Sequence, residues 1–256
     1  MRAHRLRTLV LVLLALASLV WILYQAELFE RGGRGLRNLV VFVGDMTPPA
    51  YRGGIIPTLL GSLWLTVQMA WAGTLLGALF ALPLAALAAA NLSPWWLAYP
   101  VRSVLAAIRT IPSLLWAVLM VIVFGLGPLA GIIALAAYTT GYLGKLFYEA
   151  LEAVDPESLD AARATGASRL QVARHAALPE AGNALLSQSL FAFEYNVRAS
   201  SILGLVGAGG IGFYLLRSLE LFQYRTLATA LLLLFALVIL VDTASRLVRK
   251  RFLAQR

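Results

Sequence analysis

The chain has 256 residues, 61% of them hydrophobic, a mean hydropathy of +0.82 and a formal net charge of +9. This composition excludes an ordinary soluble globular domain and predicts an all-α polytopic membrane protein, while the lack of cysteine excludes disulfides and thiolate metal sites. The positive charge flanks apolar runs, so it reads as membrane topology and not as a nucleic-acid footprint.

Six segments are expected to span a bilayer. The first, about Thr8 to Tyr24, follows Arg2, Arg5 and Arg7. Basic residues, an apolar run and Ala15-Leu16-Ala17 also make the pattern of a cleaved signal peptide. The run continues past that point to Tyr24, and its removal would leave an odd number of crossings, so it is read as a retained span. In residues 27 to 56, breaks at Gly32-Gly33, Gly35, Pro48-Pro49 and Gly53-Gly54 enclose a short amphipathic piece, Leu36 to Val43. It is expected on the outer membrane surface. The second span, Pro57 to Ala90, is longer than the roughly 20 residues a bilayer needs, so it tilts or extends beyond it. Its Gly73 and Gly77 have GxxxG spacing, which permits close helix contact. The third span is Val101 to Phe124 and the fourth Leu126 to Tyr148, with small residues Gly141 and Gly144 about one turn apart.

A polar stretch follows, DPESLDAARATGASRLQVARHAALP, residues 155 to 179. Asp155 is a good N-cap, Pro156 suits the first helical position and Gly166 a left-handed C-cap, which predicts a short helix over 156 to 165. Ser168 can cap a second helix reaching about Leu178, with Pro179 as its boundary. Ala161, Ala162 and Ala164 would let a partner approach closely. A solvated linker would not need such matched caps.

The fifth segment, Gly182 to Leu203, is interrupted by Glu194, Asn196 and Arg198. On a helix, Ser187, Phe191, Glu194, Arg198 and Ser201 share one face. Charges in a span usually face a cavity, a partner helix or a solute path. Two readings stand: Glu194 neutralises Arg198 four residues on, or Arg198 meets a solute with Asn196 assisting, the two alternating as a gate. Gly207, Gly209 and Gly212, with Gly210 between them, satisfy GxGxxG, but the strand and the acidic residue that a dinucleotide site needs are missing. A Gly-rich turn that packs helices or forms part of an outer gate is expected instead. The sixth span, Tyr224 to Ser245, precedes a basic tail, 251 to 256.

With six crossings, Arg2, Arg5, Arg7, Arg102, Arg109, Lys145, Arg163, Arg169, Arg174, Arg246, Arg249, Lys250, Arg251 and Arg256 fall on one side. Both termini are then cytoplasmic. Arg31, Arg34, Arg37, Arg52, Arg217 and Arg225 are the minority that the positive-inside rule tolerates.

Asp160-Ala161-Ala162, then Gly166, then Leu178-Pro179 resembles the cytoplasmic coupling loop of bacterial ABC importer permeases, with Asp160 where Glu is usual and Ala176 where a larger aliphatic is usual. FEYNVRASSILGLVGAGGIG, Phe193 to Gly212, and RTIPSLLWA, Arg109 to Ala117, are similar to the subfamily that imports phosphonates, phosphite and related phosphorus oxyanions. The resemblance implies a type I importer permease fold in the bacterial cytoplasmic membrane: an N-terminal helix and external connection (1 to 56), a permease domain (57 to 250) with a coupling loop (149 to 181), and the tail. It also implies a second permease subunit, identical or paralogous, a cytoplasmic ATPase dimer that binds ATP and Mg, and an external binding protein. Asp160, Ala161, Ala162, Gly166, Leu178 and Pro179 would engage the ATPase. Glu194, Asn196, Arg198, Ser201, Gly207, Gly209, Gly210 and Gly212 would line the path or its gate, and the planar fork of Arg198 suits a phosphorus oxyanion. The subunit itself is expected to need no cofactor or metal and to catalyse nothing, since no GxxxxGK[ST] occurs.

Alternatives remain. Importers with the same loop carry amino acids or betaine. An intramembrane enzyme would need a nucleophile and base within the spans, but His4 and His175 are the only histidines, and Gly166-Ala167-Ser168 lacks the following glycine of a serine elbow. An ion-driven transporter could use Glu194 and Asp242, and ATP dependence separates it from an ABC importer.

Overall fold

A computed structural model describes residues 2–25, 28–51 and 53–252. Arg52 and positions 253–256 of the expected basic tail lie outside the described residues. The described residues form α-helices and short helical turns without a strand, in two units, 1–49 and 50–256.

The first unit contains α1 (Arg2–Gln25) and α2 (Leu28–Asp45). The apolar run Leu11–Ile22 of α1 has exposed side chains throughout. Helix α2 runs unbroken through Gly32, Gly33 and Gly35, where the sequence predicts a break. Glycine lowers helix propensity but, unlike proline, keeps the N–H donor that continues the ladder.

The second unit is built on α3 (Ile55–Ala88) and α6 (Pro128–Glu152), each long enough to cross a bilayer. Lipid tails are as apolar as leucine, so spans associate by close packing and not by escape from water. A Cβ at Gly73 would stand 2.5 Å from Leu135 Cβ, and one at Gly77 2.5 Å from Thr139 Cβ. The predicted glycine spacing therefore makes the most extensive helix pairing in the unit.

The third expected segment is two helices, α4 (Trp95–Thr110) and α5 (Ser113–Phe124), bent by 85° at Ile111-Pro112. The Pro112 ring disfavours helical geometry at the preceding residue, and Ile111 is extended at φ −81°, ψ 118°. Trp116 Nε1 donates to the Ile108 carbonyl at 3.1 Å, which satisfies one acceptor that the break leaves open.

The polar stretch folds as its caps predict, with one correction. Helix α7 (Pro156–Ala164) begins at Asp155, whose carboxylate accepts from Glu157 N at 3.0 Å, and Gly166 follows at φ +81°. Helix α8 (Arg169–Val172) opens with a reciprocal Ser168–Gln171 capping box. The helix does not stop at Pro179: a π turn, Ala173–Ala177, leads directly into α9 (Leu178–Leu203). Pro179 lacks a donor and its ring would press on the carbonyl four residues back, and the wider π turn accommodates both. Leu159 and Val172 share a buried core with Ala81, Ala85, Leu143, Phe147 and Leu151, so α7 and α8 rest on the adjoining ends of α3 and α6.

Beyond α9 a 3₁₀ turn (Gly204–Val206) and left-handed Gly207, Gly209 and Gly210 lead into α10 (Ile211–Glu220), bent by 44° from the helix before it. The sequence predicts the turn but not α10. Gly212 explains how α10 returns so closely, because a Cβ there would fall 1.9 Å from the Ser201 carbonyl oxygen. Helix α11 (Tyr224–Phe252) completes the unit. All six expected segments thus lie on helices, two of them within bent pairs.

Candidate functional site

The residues expected to engage an ATPase form a surface carried by a buried base. Asp160, Ala161 and Ala164 are exposed, while Ala162 packs partly against the core around Leu159. Asp160 Oδ1 accepts from Arg163 Nη1 at 2.8 Å, and Arg163 Nη2 donates to the Asn91 carbonyl at 2.6 Å. The Asp160 pair is exposed and contributes little stability, so the carboxylate is available to a partner. The Asn91 contact ties α7 to the turn between α3 and α4. From there Asn91 Nδ2 donates to the Leu151 carbonyl at 2.8 Å, and Ala90 N to Glu152 Oε1 at 2.7 Å. Arg102 of α4 pairs with the same Glu152 carboxylate and lies 4.6 Å from the Tyr148 ring. At the other end of α7, Asp155 N donates to Glu180 Oε1 of α9 at 3.0 Å. A cleft of about 350 Å³ beside α7 is lined by Asn91, Ser93, Arg163, Ala167, Arg169 and Val172. Leu178 is half-buried and Pro179 exposed, both inside the continuous helix.

The charged face of α9 is turned toward α11. Glu194 forms an ion pair with Arg249 at 2.7 Å, and the Arg249 guanidinium lies 4.0 Å from the Phe191 ring centroid. Arg198 Nη1 donates to Asp242 Oδ1 at 3.2 Å. The intrahelical Glu194–Arg198 pair therefore does not form, because α11 brings an opposite charge to each member. Glu194 is buried, whereas the Arg198 side chain is 48% exposed. Asn196 is fully buried and donates to Thr74 Oγ1 at 2.8 Å and Thr139 Oγ1 at 2.9 Å, which joins α9 to α3 and α6. Ser201 Oγ donates to the Arg198 carbonyl at 2.6 Å.

The glycine turn is anchored on α3. Ile211 N donates to Thr66 Oγ1 at 2.9 Å, and Ser200 Oγ to the Thr66 carbonyl at 3.3 Å. Gly210 and Gly212 are buried there, with Gly207 and Gly209 half-buried.

One further cluster leaves little trace in the sequence. Tyr138 and Tyr142 of α6 stack with Tyr195 of α9, with ring centroids 5.4 Å apart for Tyr138–Tyr195, 6.2 Å for Tyr138–Tyr142 and 6.4 Å for Tyr142–Tyr195. Arg109, at the last turn of α4, is within electrostatic reach of Tyr138. Toward the α7 end, Tyr99, Arg102, Ser103, Arg109, Lys145 and Tyr148 line a cavity of about 230 Å³. The available signal was the i, i+4 spacing of Tyr138 and Tyr142 in a span, one turn before Lys145.

Comparison with known proteins places these features among transport permeases. Residues 81–254 match the family described as "Binding-protein-dependent transport system inner membrane component". The chain is 40% identical to the phosphite transport system permease protein PtxC of Stutzerimonas stutzeri, across 85% of this chain and 79% of that one. It is 36% identical to the phosphate-import permease protein PhnE of Mycolicibacterium smegmatis, across 73% of this chain but 35% of that longer one. The fold is similar to that of a chain in inward-facing structures of the MetNI methionine ABC transporter, with a TM-score of 0.71, 24% identity, and coverage of 78% of this chain and 98% of that one.

Proposed function

Since the chain belongs to the binding-protein-dependent transport system inner membrane components, we propose that it forms the translocation path of an ATP-driven importer for phosphite, a phosphonate or a related phosphorus oxyanion. The observation that carries the ATP-driven part is the coupling surface: exposed Asp160, Ala161 and Ala164 on a base buried through Leu159 and Val172. The relatives named for phosphite and phosphate transport support the substrate class.

On this reading the α7 end faces the cytoplasm, both termini lie on that side, and two separate ATPase subunits bind ATP and Mg there. Two copies of this subunit, or this subunit and a paralogue, enclose the path, and an external binding protein delivers the solute. Motion of the ATPase pair enters at α7 and has two polar routes onward. Arg163 and Asn91 lead to the α3–α4 turn and the end of α6; Glu180 leads to α9. A packed core transmits such a displacement as rigid-body motion and does not deform continuously. The paired charges between α9 and α11 would keep those helices together as they move.

The test is ATPase activity of the complex reconstituted with its ATPase and binding protein, as phosphite, a phosphonate, phosphate, methionine or betaine is added. Stimulation by a phosphorus oxyanion is expected. Stimulation by methionine or betaine alone would overturn the substrate, and failure to assemble with any ATPase would overturn the coupling role.

A further inference from the structure

The geometry points to an oxyanion station made by Tyr138, Tyr142, Tyr195 and Arg109, at which a tetrahedral phosphorus oxyanion pauses inside the membrane on its way past α6. The inference rests on the importer reading above and adds the residues that would hold the solute.

Its place in the fold is the first argument. Tyr138 lies ten residues into the 25-residue α6, about 15 Å from its start at 1.5 Å per residue, so the cluster is far from either end of the span. Tyr138 and Tyr142 are half-buried and Tyr195 is 38% exposed, which leaves their edges open on one side. Each phenol carries an O–H on a rigid ring, and those of Tyr138 and Tyr195 are within hydrogen-bonding reach of each other, so a solute would take over that pairing.

The charge is the second argument. Arg109 is exposed on α4 at the level of Gly141, about 13 residues into α6, and a cation within a span is costly unless it is paired or meets a solute. Among the described residues, Arg102, Lys145, Arg163, Arg198 and Arg249 each pair with a carboxylate, and Arg109 does not. Gly141 keeps Arg109 in position, because a Cβ on it would stand 2.9 Å from Arg109 N and 2.8 Å from Ile108 Cγ2. The end of α4 thus lies directly on α6, between the turns that carry Tyr138 and Lys145.

A guanidinium without a carboxylate pair, within electrostatic reach of a phenol cluster, suits a small oxyanion with several acceptor oxygens, because Arg can donate two parallel hydrogen bonds while the phenols take the remaining oxygens. A zwitterion with a bulky cationic head would place that charge against Arg109. Arg109 also lines, with Lys145 and Arg102, the cavity that lies toward the α7 end. Its cations offer the next stop, weakened by their carboxylate partners so that the solute can leave.

The experiment is ATP-driven uptake of labelled phosphite into proteoliposomes that contain the whole complex, with wild type, Tyr138→Phe, Tyr195→Phe, the triple Tyr→Phe variant, Arg109→Gln and Arg109→Lys. Each Phe retains the ring stack and removes only the hydroxyl, so assembly of the complex should stay at the wild-type level. Uptake should fall about tenfold for Tyr138→Phe, as expected for one lost hydrogen bond to a charged ligand, and further for the triple variant. Arg109→Gln should fall at least as far, with partial recovery in Arg109→Lys. Wild-type phosphite uptake together with normal uptake by the triple variant would overturn the station and leave the importer reading intact. A wild-type complex that carries methionine or betaine but no phosphorus oxyanion would overturn both.

Discussion

Two charged regions of the second unit have opposite characters. Between α9 and α11, Glu194 has Arg249 and Arg198 has Asp242, so every charge at that contact is answered by its neighbour. Between α4, α6 and α9, Arg109 is within electrostatic reach of Tyr138 in the stacked tyrosine cluster but has no carboxylate pair among the described residues. The first region has what it needs to hold helices together. The second has a cation without a carboxylate. A charged residue within a span is therefore not by itself a mark of the solute path, and whether it is balanced inside the chain is the more useful criterion.

The contrast can be broken most severely at Glu194. Replacing it with Ala leaves Arg249, which is 17% exposed, without its carboxylate. Removing one member of a buried pair typically costs about 3–5 kcal/mol, whereas replacing both with apolar residues of similar volume is often neutral. Glu194→Ala should thus sharply lower the melting temperature and yield of the detergent-solubilised complex, and Glu194→Leu with Arg249→Met should restore much of both. No recovery in the double variant would mean that the pair does more than hold α9 to α11.

A smaller effect on stability, but a larger one on transport, is expected at Gly141. Gly141→Val must push α4 away from α6 at Arg109, an overpacking worth roughly 1–3 kcal/mol. Complexes that assemble should lose most oxyanion uptake while the α9–α11 pairs persist. Undiminished uptake would show that the position of Arg109 does not matter.

How much of this could be read beforehand depends on the range of the signal. Asp155, Gly166 and Ser168 act within a few residues, so the caps of α7 and α8 were legible. Gly73 and Gly77 were legible as a contact face because GxxxG spacing sets it within one helix. Pro112 announces the α4–α5 break, but a hydropathy window averages across it and returns a single span. Pro179 misled in the opposite direction, since proline is tolerated at the first positions of a helix and the π turn before it makes room. The Arg198–Asp242 pair joins positions 44 apart, and nothing local to α9 distinguishes it from an intrahelical Glu194–Arg198 pair. The tyrosines were hidden because a hydropathy reading treats an aromatic side chain as apolar, while their hydroxyls become conspicuous only when three of them meet.

At the caps the expected effect is about 1 kcal/mol. Ser168→Ala removes the side-chain acceptor from Gln171 N and should loosen α8 without disturbing either charged region. Its signature would be faster amide exchange confined to α7 and α8, with weaker stimulation of ATPase by solute. Exchange protection equal to wild type would show that the box adds nothing to the rigidity of α7 and α8.

The smallest stability change is expected for Arg198→Ala. Its partner is at 3.2 Å and both side chains are more than a third exposed or close to it, so the loss should be under about 1 kcal/mol. Thermal unfolding should barely move, which would set this pair apart from Glu194–Arg249. A loss as large as that of Glu194→Ala would place the two pairs in one cooperative unit.

The measurement that bears most directly on the account is uptake of labelled phosphite into proteoliposomes containing the assembled complex, with ATP and a protonophore varied independently. Uptake that requires ATP and the binding protein, and is indifferent to the protonophore, is the predicted result. Uptake that continues without ATP and collapses with the protonophore would contradict it, and would turn attention to Glu194 and Asp242 as groups that carry protons.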